Sequence, residues 1–393
     1  MRVLRVVVGL EAHTGGPVEI VLGSVSATNA AGIRNLVLFP DGGAESAAAV
    51  ERLDVASVNF RSFRHIAGGG SRARRWGVST ALVRELPRLA RSHDVVHAES
   101  AWTVTSLAAL AAAKLARVPY VLTPHESLTA FDVAKSPLPK RLVKRFLRRL
   151  YVAFADAIVV SSELELSTSL VGWRARRKFA VVPHALAMDA AGPLADVETK
   201  STDLTLGFLG RFDKKKNLPV LLSAVAAGPR TVRLRIAGDG DTPTPLEVKE
   251  QAEALGIADR VELLGWLSRD ARCRFLASLD VLVMPSAFEC FGMAAAEALV
   301  AGVPVVVSPT TGIAEIVRRN ECGLIVEADV SALADVLAGL VNCDTVATLA
   351  ARTAGACAEL SYEKHARALA AVYCRISPES ASPMPDAMRA VVS

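Results

Sequence analysis

Apolar residues along this chain fall into short clusters separated by longer stretches in which they recur every third or fourth position. The clusters Val3–Val8, Leu36–Phe39, Val95–His97 and Tyr120–Thr123 predict strands, and the spaced stretches near residues 18–31, 77–92 and 102–116 predict helices. Strands alternating with helices demand a parallel sheet covered on both faces. Two more clusters, Ala157–Val160 and Ala180–Val182, follow, and then a polar stretch with Pro and Gly, Asp189–Asp203, reads as a linker.

The alternation then restarts. Strands are predicted at Leu204–Leu209, Val232–Ala237, Val261–Leu264, Val281–Met284 and Val305–Val307, with helices near 217–226, 244–255, 268–277, 294–301, 330–341, 345–358 and 362–375. The expected class is α/β: two consecutive Rossmann-like doubly wound domains, residues 1–188 and 204–361, facing a central cleft across the linker 189–203. Residues 376–393, with three prolines among small polar residues, read as a loose tail.

Composition narrows the picture. With 393 residues and 51% apolar content the chain can bury a large core, filled by Ala and Val more than by aromatics, which are only 5%. No apolar run reaches the roughly 18 to 20 residues that a membrane span needs. Met1–Leu10 reads as a first strand rather than a signal segment. The six cysteines, Cys273, Cys290, Cys322, Cys343, Cys357 and Cys374, form no metal-binding pattern and read as buried free thiols of a reducing cytoplasm. Net charge is +5, but the basic excess lies in residues 1–195 and the second half is net acidic.

That basic excess has a focus. Lys140, Arg141, Lys144, Arg145, Arg148 and Arg149 recur at helical spacing among Leu142, Val143, Phe146, Leu147, Leu150 and Tyr151, so the apolar positions are expected on one stripe and the cations on the opposite face. Such a face is either simply solvated or docks on an anionic membrane or acceptor; nucleic acid is the poorer fit.

Candidate chemistry collects where strands end. Glu289 and Glu297 flank the turn Phe291-Gly292-Met293, which should aim both acids and the free amides of the turn at one crevice. Gly210-Arg211 closes a strand and Lys216 opens the next helix, so two cations can meet a diphosphate from two sides; Lys214 and Lys215 read as solvent-facing. Gly15-Gly16-Pro17 after the first strand is either a tight turn or a phosphate loop. Gly238-Asp239-Gly240, Gly265-Trp266-Leu267 and Thr123-Pro124-His125-Glu126 likewise end strands, and His97 reads as structural.

Pro285-Ser286, Glu289, Phe291-Gly292, Glu297-Ala298, Gly302-Val303-Pro304 and Gly312-Ile313-Ala314-Glu315 together resemble the retaining group 1 (GT4-type) glycosyltransferases of the GT-B fold. The resemblance implies transfer of a hexosyl-type unit from a UDP- or GDP-linked sugar with retention, and a helix, residues 362–375, that crosses back to the first domain. It implies catalytic roles for His125, Arg211, Lys216 and Glu289: phosphate contacts by the two cations, sugar contacts by His125 and Glu289. Gly15, Gly16, Gly210, Gly238, Trp266, Leu267, Phe291, Gly292 and Met293 are implied at the donor, with Glu297 on the ribose diol. Glu99 and Glu126 are expected on the acceptor side. Departures are His184, where relatives carry Asn, and Cys290, where they carry Gly.

In such a protein the nucleotide sugar is a co-substrate and no cofactor or metal is expected, although Asp239-Gly240-Asp241 forms an Asp-x-Asp triplet. The acceptor suggested is a glycan or lipid-linked glycan of surface polysaccharide assembly, and the alternative is a small molecule such as an aminocyclitol or secondary metabolite. A nucleotide-sugar epimerase and a catalytically silent nucleotide-sugar-binding protein are the rivals from other classes. The expected location is the cytoplasm, peripheral on the inner membrane face if the basic helix docks there.

Overall fold

The strand Arg2–Val6 (β1) sends alternate side chains to opposite faces, and that alternation organises the first half of the molecule. Leu4 and Val6 join a core with Leu38, Val96, Leu110, Leu122 and Tyr151, whereas Val3 joins Val95, Val121, Leu369 and Tyr373 on the other face. A strand buried on both sides belongs inside a parallel sheet covered by helices. The computed structural model describes residues 1–10, 16–41, 58–64, 79–186 and 203–381, and these divide into two units: Met1–Ala185 with the chain from Tyr362 onward, and Leu186–Ser361.

Unit 1 has seven strands, all paired in parallel: β1, Arg34–Asp41 (β2), Asn59–Arg64 (β3), Val95–Glu99 (β4), Tyr120–Thr123 (β5), Ala157–Val160 (β6) and Phe179–Val181 (β7), ordered β3-β2-β1-β4-β5-β6-β7. The order reverses direction between β1 and β4, the place where doubly wound sheets open a crevice beyond their carboxyl ends. Helices Thr80–Arg91 and Val104–Ala116 cover one face; Thr103 caps the latter by accepting the Ser106 amide. Gly16–Ala30 and the closing helix Tyr362–Ile376 pack together, and the latter covers the other face of the sheet through Leu369, Val372 and Tyr373.

Unit 2 repeats the plan with six parallel strands: Leu204–Leu209 (β8), Val232–Ala237 (β9), Val261–Gly265 (β10), Val281–Met284 (β11), Val305–Val307 (β12) and Gly323–Ile325 (β13), ordered β10-β9-β8-β11-β12-β13. Its switch point lies between β8 and β11. Val281 and Val283 face one core while Leu282 and Met284 face the other, so β11 is apolar throughout because both sides are buried.

Several expectations change. β3 went unpredicted because Asn59-Phe-Arg-Ser-Phe-Arg64 is an edge strand with one buried side chain, Phe63, and no apolar run. β13 is three half-buried residues. The single helix expected over 345–358 is two, Cys343–Ala351 and Thr353–Glu359, broken at Arg352. Of the cysteines, Cys290, Cys322 and Cys374 are buried, but Cys343 is exposed and Cys273 and Cys357 are half-buried. The linker positions 189–202, the tail from 382, and Gly15 lie outside the described residues.

Candidate active site

In unit 2 the residues beyond β8 and β11 are tied to each other by backbone before any side chain is considered. β8 runs out at Gly210, and after Arg211 the turn Lys214–Lys216 is capped by Asp213, whose carboxylate accepts the Lys215 amide at 3.0 Å. The Lys215 carbonyl in turn accepts the Ala287 amide at 2.7 Å, which brings the two loops together. Glu289 is pinned from the other side, donating its amide to Thr310 and accepting the Gly312 amide.

The result is a cation and an acid in contact. Lys216 Nζ lies 2.8 Å from Glu289 Oε1, and Lys215 Nζ approaches the same oxygen to 3.8 Å. Both partners of the close pair are mostly covered, at 15% and 13% exposed. Glu289 Oε1 is itself buried and, outside these ion pairs, has no hydrogen-bond donor among the described residues. Lys215, expected in solvent, is therefore part of this cluster, because the turn that caps the next helix rotates it inward; Lys214 is exposed. Arg211 points outward, 77% exposed and 3.7 Å from Asp213.

Two glycines make the loops possible. At Gly238, φ is +140° and a Cβ would lie 1.9 Å from the Gly210 carbonyl, so only glycine lets the ends of β8 and β9 approach so closely. At Gly292, φ is +108° and a Cβ would come within 2.7 Å of Met284 Cε. Gly292 precedes the helix Met293–Val300 and offers it no side-chain cap, so the first-turn amides keep their capacity for an anion.

Phe291 is buried in the core and accepts the Ile313 amide through its carbonyl, so it holds the turn from below and Met293 is half-buried beside it. Glu297, on that helix, meets Arg272 Nε at 3.1 Å, a partner that sequence reasoning missed. Trp266 is 71% exposed beyond β10, and Leu267 packs against the core.

Unit 1 builds a deeper cluster. On β1, β4 and β5 the face toward the closing helix carries Arg5, His97, Glu99 and Thr123, in register as Arg5↔His97 and Glu99↔Thr123. Arg5, fully buried, donates from Nη1 to Glu99 Oε1 at 2.8 Å and from Nε to Asn35, while its Nη2 has no partner. His125 lies 2.8 Å from Glu99 Oε2 through Nε2. Burial opposes ionisation of Glu99, but His97, the His125 hydrogen bond and the Arg5 guanidinium hold its carboxyl well below the usual range. An ionised Glu99 only accepts, so Nε2 of His125 carries the proton and Nδ1 is left as the accepting nitrogen. His125 and Glu126 both have positive φ, 47° and 73°, an uncommon backbone that aims the ring.

Three histidines surround this pair. His97 bridges Tyr373 and Thr123 at 2.7 Å each, and burial lowers its pKa to about 3. His365 bonds the Pro183 carbonyl and Ser24, and burial lowers it to about 4. His184, the departure noted in the sequence, is buried with its ring 5.9 Å from that of His125. Together with Ile20, Ser161 and Leu369 they line a cavity of about 20 Å³, room for one ordered water.

Glu99, expected on an acceptor surface, is instead buried behind His125, and Glu126 turns toward Lys135 while its amide bonds Glu165. Gly16 begins the helix that follows β1. Among the described residues no three His, Cys, Asp or Glu side chains converge as metal ligands. Arg5 was detectable only as a charge inside an apolar strand; His184 stood out only as a departure from the family pattern, and His365 carries no local signal, since distant sequence brings it in.

Comparison with known proteins adds to this geometry. The family described as "Glycosyl transferases group 1" matches residues 195–354, and "Glycosyl transferase 4-like domain" matches residues 15–185. A D-inositol 3-phosphate glycosyltransferase of Xylanimonas cellulosilytica is 31% identical over 304 residues, covering 72% of this chain and 72% of that protein. An uncharacterized 41.2 kDa protein in the cps region of Klebsiella pneumoniae is 27% identical over 243 residues, 59% of this chain and 65% of that protein's length. Among solved structures, Anabaena HepE in complex with UDP superposes with a TM-score of 0.74 at 20% identity, covering 97% of this chain and 100% of that one.

Proposed function

The chain belongs to the group 1, GT4-type glycosyltransferases of the GT-B fold, and from that premise we propose that it moves a hexosyl unit from a nucleotide sugar to an acceptor with retention at the anomeric carbon. The observation that carries this reading is the Lys216–Glu289 contact at the switch point of unit 2. A departing diphosphate develops negative charge, and Lys216, with Lys215 beside it and the amides that open the helix Met293–Val300, supplies positive charge to meet it. Arg211, on the outer side, adds a guanidinium contact to the phosphates.

Glu289 accepts a hydroxyl of the transferred sugar, and Glu297, held by Arg272, accepts the ribose diol. In unit 1 we assign His125 to a sugar hydroxyl, with Nδ1 as acceptor and Glu99 fixing the tautomer. UDP-glucose is the first donor to test, since HepE was solved with it. No divalent ion has a role in this scheme.

For the acceptor, the cps-region relative supports a growing surface glycan. The D-inositol 3-phosphate glycosyltransferase relative favours a second reading, a small phosphorylated cyclitol. Incubation of UDP-sugars and GDP-sugars with each acceptor class, read by mass spectrometry of the product and by release of free nucleotide, tests the proposal. Release that requires acceptor supports transfer. Conversion of the donor sugar without acceptor would identify an epimerase, and binding with no turnover on any acceptor a silent binding protein.

A further inference from the structure

The helix Leu138–Phe154 takes no part in the side-chain cluster of either unit, and its surface is unusual. Only Tyr151 is fully buried, with Leu147 and Leu150 packed near it, which fixes the inward side. At about 100° per residue, Leu138, Leu142 and Phe146 fall on the outward side in the same arc as Arg145 and Arg149. The sequence pattern had suggested cations opposite one apolar stripe; in the structure the helix has a second apolar stripe, 70%, 61% and 65% exposed, set among the cations.

Two of the cations have work within the fold. Arg141 donates to the Ser136 and Ala134 carbonyls, and Lys144 pairs with Asp132. Lys140, Arg145, Arg148 and Arg149 have no acidic partner among the described residues, and the helix itself contains no acid. Arg145 and Arg149 stand four residues apart and repel each other, as do Lys144 and Arg148.

A second exposed cluster is tied to the C-terminal end of the helix. Lys178 Nζ donates to the carbonyls of Val152, Ala153 and Ala155, which fastens the turn Trp173–Lys178 to the helix end. That turn carries Trp173, at 78% the most exposed large apolar side chain among the described residues, with Arg174, Arg176 and Arg177. Phe154 is exposed at the same end.

We propose that this face docks on an anionic phospholipid bilayer, the helix lying in the headgroup plane with Leu138, Leu142 and Phe146 inserted and Trp173 at the interface. Apolar side chains and unpaired cations on one arc suit a surface that is apolar within and anionic at its rim. A second copy of the chain suits it poorly, because the two arginine arrays would meet. This inference rests on surface chemistry alone and stands whether or not the transfer reading holds.

The test is sedimentation of the full chain with phosphatidylcholine vesicles and with vesicles containing phosphatidylglycerol. The wild type is expected to bind only the latter, and Leu142→Glu/Phe146→Glu and Arg145→Glu/Arg149→Glu each to lose at least about tenfold in binding, with unchanged melting temperature. If the glutamate pair unfolds the chain, Leu142→Ser/Phe146→Ser replaces it. Equal binding by folded variants, or no binding by the wild type, overturns the proposal. So does a wild-type dimer in sedimentation velocity that the Leu142/Phe146 variants dissolve, which would make the face a self-interface.

Discussion

The two units place their chemistry at the same topological address and at different depths. In unit 1 the charges stand on the strands themselves and are submerged: Arg5, inside β1, is fully buried, and Glu99, the last residue of β4, is only 6% exposed. In unit 2 the charges beyond β8 and β11 sit at the surface of the same kind of sheet, Lys216 and Glu289 partly exposed and Arg211 largely so. Buried charges are held by one another and define a geometry, whereas charges on loops near the surface can exchange an internal partner for a ligand. The described histidines follow the same division: His93, His97, His125, His184 and His365 all belong to unit 1, and Leu186–Ser361 contains none.

The sharpest way to break this contrast is to remove one buried charge. Arg5→Met leaves the buried Glu99 with only its His125 hydrogen bond and no guanidinium, and should cost unit 1 about 3–5 kcal/mol in denaturant unfolding, with much of that recovered when Glu99→Leu is added. A loss under about 1 kcal/mol would mean that the pair is not submerged.

Acid should separate the units next. His97 and His365 have pKa values of about 3 and about 4 in the folded chain, both depressed by burial. Unfolded histidines bind protons below about pH 6.5, so stability present above that pH is lost as pH falls toward the folded values. By pH 5 unit 1 should be weaker by about 2 kcal/mol per histidine, while peptide-resolved hydrogen exchange in unit 2 stays flat. Parallel weakening in both would contradict the assignment.

Lys216→Ala then probes the loop cluster of unit 2. Turnover should drop at least about tenfold, equivalent to roughly 1.4 kcal/mol of barrier, with little change in melting temperature. Normal turnover in the folded variant removes the lysine from phosphate stabilisation. The smallest effect is expected at Trp266→Ala: stability within about 0.5 kcal/mol of the parent and a donor KM raised severalfold. An unmoved KM would leave the indole as surface alone.

Much of the fold was readable because buried parallel strands are written as runs, such as Val281-Leu-Val-Met284 and Val305-Val-Val307, and every such run became a strand. Edge strands escaped, since β3 has solvent on its outer side and needs no run. The candidate site divides the same way. Glu289, Phe291-Gly292 and Lys216 sit within single loops at strand ends, where spacing is informative. Arg272, His184 and His365 act through contacts that fold together remote segments, and no local pattern encodes a partner 182 residues away, as His365 has in Pro183. Lys215 was misjudged because a lysine run says nothing about which member a capped turn rotates inward.

The closing helix Tyr362–Ile376 belongs to the sheet that the first residues of the chain begin. A ribosome therefore releases the whole of Leu186–Ser361 as one uninterrupted segment before the older segment has received its final covering. During synthesis the later-made lobe is free to mature first, and the N-terminal lobe waits with Val3, Val95 and Val121 uncovered until the last turns of polypeptide arrive. Any shortening of the carboxyl terminus past Tyr373 would thus be felt at the amino terminus.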